Sequence, residues 1–171
     1  AGEELVKAYS QRFPDLKYSI LRFFNVFGPD QVNQFVVSKF IKNAIDRKPI
    51  IINGTGEQLR SYCYVDDAVK GMVMALKSDD ANSETINIGH QFNLISLNDL
   101  AKLVCKTVGV SEEIITNDLD FSDRDQSREI FERCPDTSKA RDLIGFEAKI
   151  GMEEAIKNIM EESSFNENWP T

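Results

Sequence analysis

The chain has 171 residues, 42% of them hydrophobic and 28% charged, which is enough apolar material to bury the core of one domain or slightly more. A formal net charge of −8 argues against a nucleic-acid partner, and no apolar run is long enough to span a bilayer. Cys63, Cys105 and Cys134 are odd in number and contain no Cys-x-x-Cys pair, so they describe neither a disulfide framework nor a zinc site and fit a reducing compartment, the cytoplasm by default.

The chain opens in the middle of an amphipathic pattern. Leu5, Tyr9 and Phe13 recur four residues apart ahead of the turn Phe13-Pro14-Asp15, which predicts a helix over residues 1–12 with no N-cap before it. With no initiating Met either, the start is expected to lie inside a helix of a longer protein. The aromatic-rich run from Tyr18 to Phe27 reads as one buried strand stopped by Gly28-Pro29. Asn25 near its end stands where open α/β sheets hold ligands, outside the carboxyl ends of their strands; the plainer reading gives its amide to local backbone. A helix followed by such a strand points to the last part of a doubly wound sheet.

After a polar loop, Val36, Val37, Phe40, Ile41, Ala44 and Ile45 recur at helical spacing. Pro49-Ile50-Ile51-Ile52 is a short strand closed by the turn Asn53-Gly54-Thr55-Gly56. Tyr62 to Val65 predicts a strand, and Asp66 reads as the cap of a helix carrying Val69, Met72, Val73 and Leu76. Thr85 to Ile88 is a strand ended by Gly89. Ser96 with Asp99 forms a capping pair ahead of a helix with Leu100, Leu103, Val104 and Val108. The acidic stretch from Asn117 to Glu129 is expected as loop. Asp136 caps a short helix ended by Gly145, and Met152 to Met160 is the last helix.

Two constellations could carry chemistry. Gly54-Thr55-Gly56 allows a tight turn and close backbone approach to a ligand, and Arg60 just beyond can pair bidentately with phosphate oxygens. A lone Gly-x-Gly is usually only a turn, but Arg60 sits beside Tyr62 and Tyr64, where a solvated arginine is out of place. Asp66 and Asp67 do not read as a catalytic pair, because adjacent side chains diverge on a helix. His90 reads as a solvated loop histidine with no nucleophile beside it.

The order Arg22-Phe23-Phe24-Asn25-Val26-Phe27-Gly28-Pro29, then Pro49 through the Gly54-Thr55-Gly56 turn to Arg60 and Tyr62-Cys63-Tyr64-Val65-Asp66-Asp67, then Asn87-Ile88-Gly89, resembles the NAD-dependent nucleotide-sugar epimerase/dehydratase family. These are the extended short-chain dehydrogenase/reductases. Pro135-Asp136-Thr137-Ser138-Lys139-Ala140 and Leu143-Ile144-Gly145-Phe146 carry the resemblance into the C-terminal helices. It implies the last helix and strand of a Rossmann-type parallel sheet (residues 1–30), a smaller mixed α/β C-terminal lobe that binds the nucleotide-sugar (31–165) and a tail (166–171).

The family's Tyr-x-x-x-Lys pair would then fall just upstream of Ala1, and the Gly-rich NAD loop far upstream, so no catalytic residue is expected within the chain. The implied activity is a nucleotide-sugar 4-epimerase, most simply on a UDP-sugar, using NAD and assembled as a homodimer at full length, with the present chain inactive alone. A UDP-glucuronate decarboxylase, a dehydratase and a non-catalytic ligand-binding member are the alternatives. By position, the resemblance places Asn25 on the diphosphate or adjoining sugar, Arg60 on a phosphate and Tyr62 along the phosphate end. Ile51 and Asn53 would flank the base, although family members often carry an aromatic residue where Asn53 stands. A second arginine is expected from the loop before Asp136, either Arg128 or Arg133.

Overall fold

The computed structural model describes residues 1–119 and 130–162 of the chain. Helix α1 (Gly2–Arg12) leads into strand β1 (Ser19–Phe23), and a bidentate ion pair ties them, with Arg22 Nε and Nη2 donating to the Glu3 carboxylate at 2.7 and 2.6 Å. The single strand expected from Tyr18 to Phe27 breaks in the middle. β1 ends at Phe23, Asn25 adopts φ 39°, and β2 (Val26–Phe27) begins after it.

A change of partner causes the break. β1 runs parallel to β6 (Glu84–Ile88), with Phe23 beside Ile88, whereas β2 runs parallel to β5 (Cys63–Tyr64), with Val26 beside Cys63. The chain must turn between the two ladders, and Asn is one of the few side-chained residues that accept left-handed backbone. β1 is also half-exposed rather than buried, and Arg22 and Phe23 are exposed at its end. The parallel sheet therefore draws on residues 84–88 as well as on residues 19–23.

Apolar residues at helical spacing decide where the core forms. Helices α2 (Val36–Ile45), α4 (Leu97–Val108) and α6 (Met152–Glu161) close on β3 (Ile50–Asn53), and Phe40, Ile41, Ile52, Leu100, Val104 and Ile156 are all buried there. A second cluster lies between α3 (Val65–Lys77), β6 and α5 (Ser138–Ile144), around Cys63, Ile86, Ile88 and Phe146. Each large aliphatic side chain buried in this way contributes about 1.5–3 kcal/mol. Among the described residues, no helix is long and apolar enough to cross a membrane.

β3 alternates buried and exposed residues and pairs in parallel with β8 (Ile115–Asp118). A separate sheet places β4 (Leu59–Ser61) between β7 (Leu94–Ser96), antiparallel, and β9 (Glu132–Arg133), parallel. The stretch expected as loop from Asn117 thus begins as the end of β8. The strand expected over Tyr62 to Val65 is instead split around Tyr62 and shortened by the early start of α3.

The helix ends follow local chemistry. Ser96 Oγ accepts the Asp99 N–H at 3.0 Å and donates to Asp99 Oδ2 at 2.7 Å, and Gly109 and Gly145 end α4 and α5 with φ of 81° and 65°. Asp136 Oδ1 accepts the Ser138 N–H at 2.9 Å, although Thr137 holds the cap position of α5. Asp66 is not a cap. The helix starts at Val65, so both aspartates lie in its first turn, where negative charge meets the positive end of the helix dipole.

The two carboxylates diverge as expected: Asp66 is exposed, while Asp67 is 4% exposed. Asp67 Oδ2 accepts the N–H groups of Lys149 and Ile150 at 2.7 and 2.8 Å, fastening α3 to the segment that leads into α6. A hydrogen bond to a charged group contributes about 1.5–3 kcal/mol, so Asp67→Ala is expected to destabilise the protein by about 2–4 kcal/mol. The check is a lower urea midpoint at unchanged slope; an unchanged midpoint would deny the tether its role.

Candidate functional site

Arg60 sits in the middle strand of the β7-β4-β9 sheet. Its Nη1 donates to the carbonyls of Leu59 and Phe131 at 2.8 and 3.2 Å, which fixes the guanidinium close to β9. The parallel register pairs Arg60 with Arg133, and register partners in a parallel ladder carry their side chains to the same face. Two arginines therefore stand side by side on adjacent strands. Arg128, the other candidate for the second arginine, lies outside the described residues.

Tyr62, two residues beyond Arg60, is buried and meets Phe27 edge-on at 6.1 Å. Burial pushes its hydroxyl up to about 12, and the neighbouring Arg60 charge pulls the other way. Asn25 reaches the same strand: its Nδ2 donates to Ser61 O at 2.7 Å, and its carbonyl accepts the Cys63 N–H at 3.2 Å. The structure thus brings Asn25 against the residue next to Arg60. Its amide serves backbone, though backbone 36 residues away rather than the local backbone of the plainer reading.

Ile51 and Asn53 lie on the exposed face of β3, opposite the buried Ile50 and Ile52. Beside them on β8 are Thr116 and Asp118, their register partners. A groove of about 560 Å³ opens on the other side of this two-stranded sheet, where Asn117 and Ile115 join Asn98, Asp99 and Lys102 of α4. It is lined by neither Ile51 nor Asn53 and is distinct from the face that they share.

The sequence did not point to Asn98 and Asn117, whose side chains hold the Gly54–Glu57 turn. A Gly-x-Gly turn exposes carbonyls that need donors, but nothing in the pattern says which distant asparagine supplies them. Nor does the turn match a dinucleotide loop. It joins strand to strand rather than strand to helix, and Leu59 stands where the third glycine of Gly-x-Gly-x-x-Gly would be. These residues do not fit NAD. Among the described residues, no group of three or more His, Cys, Asp or Glu could hold a metal ion.

His90 differs from expectation. It is 7% exposed, its Nδ1 accepts the Phe92 N–H at 3.3 Å, its carbonyl accepts the Ser61 hydroxyl, and its ring meets Phe92 edge-on. Gly89, just before it, lets the chain pack closely against Pro135 and Phe24. Burial lowers the His90 pKa from the ordinary 6.5, against a smaller opposing pull from Asp67.

Comparison with known proteins gives a consistent picture. The model of the NAD dependent epimerase/dehydratase family matches residues 1–89, just over half of the chain. A UDP-glucuronate 4-epimerase of Thermodesulfobacterium geofontis is 31% identical over 165 residues, covering 96% of this chain and 49% of that protein. UDP-glucuronic acid decarboxylase 3 of Arabidopsis thaliana is 31% identical over 159 residues, covering 91% and 43%. The fold also matches the crystal structure of UDP-glucuronic acid 4-epimerase from Bacillus cereus in complex with UDP-glucuronic acid and NAD, with a TM-score of 0.80, 29% identity and coverage of 94% and 50%. The chain spans about half the length of these relatives.

The buried His90 sets a pH dependence. Its folded pKa lies below the unfolded 6.5, so its neutral form supports the fold above that value, and the contribution is lost as pH falls from there toward the folded pKa. Replacing His90 by Asn is expected to flatten the fall in urea midpoint between about pH 7.5 and about pH 5.5. A slope equal to that of the parent protein would show that His90 is not the group responsible.

Proposed function

This chain belongs to the NAD-dependent epimerase/dehydratase family, and we propose that it forms the C-terminal, substrate-binding part of a nucleotide-sugar 4-epimerase acting on a UDP-sugar. The observation that carries the reading is the register pairing of Arg60 with Arg133, with Asn25 bonded to the residue beside Arg60. Two guanidinium groups on one face of a ladder match the two charges of a diphosphate, and each can pair bidentately with its oxygens. The relatives named for UDP-sugars support the choice of uridine diphosphate over other nucleotides.

In this proposal Arg60 and Arg133 neutralise the diphosphate, Asn25 uses its remaining amide hydrogen and its oxygen on the phosphate or the adjoining sugar, and Tyr62 lines the phosphate end. Ile51 offers an aliphatic surface to the base. Asn53, where an aromatic residue would stack, offers hydrogen bonds instead. NAD, when bound to the whole enzyme, supplies the hydride acceptor for chemistry at the sugar; the residues described above hold and orient the nucleotide.

The division of labour is also part of the proposal. Residues 1–30, joined by β6, would complete a dinucleotide-binding unit, and residues 31–165 would form the substrate lobe. The Tyr-Lys pair and the NAD loop would be supplied from outside the chain, leaving it inactive alone. A homodimeric cytoplasmic enzyme with no nucleic-acid partner fits the acidic balance and the three free cysteines. A UDP-glucuronate decarboxylase is the second reading, favoured by a relative of that name with the same 31% identity.

A charge-assisted bond contributes about 1.5–3 kcal/mol, so losing one weakens binding about tenfold or more. In the protein expressed from its complete reading frame, Arg60→Ala is expected to weaken UDP binding by that factor in titration calorimetry, while Asp67→Asn has a much smaller effect. The 171-residue chain alone is expected to turn over no nucleotide-sugar. Equal UDP affinity in Arg60→Ala and the parent protein would overturn the site assignment, and turnover by the chain alone would overturn the division of labour.

A further inference from the structure

The turn between β3 and β4 is held from outside. Asn98, in the first turn of α4, gives its backbone N–H to Gly56 O at 3.2 Å and its side-chain amide to Thr55 O at 2.9 Å and Glu57 Oε1 at 2.7 Å. Asn117 of β8 directs Nδ2 at Gly54 O, Thr55 O and Asn98 Oδ1 at 3.3, 3.1 and 3.2 Å. The Gly54 N–H donates to Asp118 O at 2.8 Å. Three consecutive carbonyls, those of Gly54, Thr55 and Gly56, are thus bonded to α4 and β8 rather than left to water alone. Gly54 and Gly56 both adopt φ 74°, and a Cβ on Gly56 would collide with Asn98 Oδ1 and Ile52 Cγ2.

This clamp lies between two parts of the proposed site that no ladder among the described residues joins. β3, which bears Ile51 and Asn53, pairs with β8, while β4, which bears Arg60, pairs with β7 and β9. Among the described residues, no backbone hydrogen bond of a shared sheet sets the placement of the Ile51–Asn53 face relative to Arg60. The connecting turn sets it together with α4, which continues from β7 and packs on β3, and the turn's own shape depends on the two asparagines.

We propose that Asn98 and Asn117 are positioning residues that set the spacing between the base end and the phosphate end of the nucleotide site. The proposal rests on the reading of that site as one for a nucleoside diphosphate. A ligand held at both ends gains from a fixed spacing, because engaging the first end raises the effective concentration at the second. A ligand held at one end gains nothing from it. Loosening the turn therefore weakens UDP and leaves inorganic pyrophosphate and uridine, each a single-ended probe, unaffected.

The test uses the protein expressed from its complete reading frame, with Asn98→Ala and Asn117→Ala, and measures dissociation constants for UDP, pyrophosphate and uridine alongside the melting temperature. The expected result is UDP binding weakened about tenfold, with both single-ended probes within about twofold of the parent. Unchanged UDP affinity, or an equal loss for all three ligands, overturns the proposal. If Asn98→Ala does not fold, Asn117→Ala is judged by the same criterion; if neither folds, the asparagines serve stability and the proposal fails. A parent protein that does not bind UDP sinks the nucleotide-site reading itself, whereas a parent that binds UDP no better than its variants sinks only the positioning role.

Discussion

The arrangement of the molecule depends on one left-handed residue. At Asn25 the chain leaves the ladder with β6 and joins the ladder with β5, and the side chain that permits the turn also secures it, donating to Ser61 O at 2.7 Å. Glycine would allow the φ but not make that bond. A β-branched residue would resist the φ. Because the Asn25 carbonyl also receives the Cys63 N–H, a single residue fastens the end of β1 to the segment between β4 and β5. The strand bearing Arg60 therefore reaches the carboxyl end of β1, the position where open α/β sheets hold ligands.

Electrostatics explains why such an acidic chain can be proposed as an anion binder. A net charge of −8 gives no general attraction for a diphosphate, so binding must rest on local geometry. Arg60 and Arg133, paired in register, concentrate positive charge on one face, and the carbonyls of Leu59 and Phe131 hold the Arg60 guanidinium in place. The buried carboxylate nearest in sequence, Asp67, is directed elsewhere by its bonds to Lys149 and Ile150. This buried carboxylate is a structural tether.

Much of this was legible in the sequence because it is written in local chemistry. The Ser96–Asp99 cap, the glycine that ends α5 and the apolar spacing of α2 each need only a few neighbouring residues to be recognised. What was illegible depends on distant partners. The aromatic run of residues 18–27 hides a change of ladder that only the positions of β5 and β6 reveal. His90 is buried among partners such as Ser61, far from it in sequence, and β9 pairs with the distant β4. Within the candidate site, Asn25 and Arg60 stood out by type and position, whereas Tyr62 was placed there by the family resemblance. The resemblance offered Arg133 only as one of two candidates; its adjacency to Arg60, and the hold of Asn98 and Asn117 on the glycine turn, follow from register and packing.

The most direct measurement is a crystal structure of the protein with UDP bound. The account predicts the diphosphate between the guanidinium groups of Arg60 and Arg133, within hydrogen-bonding reach of Asn25, and the uracil ring against the exposed face of Ile51 and Asn53. A diphosphate seated instead in the groove beside Lys102 on the α4 side of β3 and β8, with Arg60 making no contact to it, would contradict it.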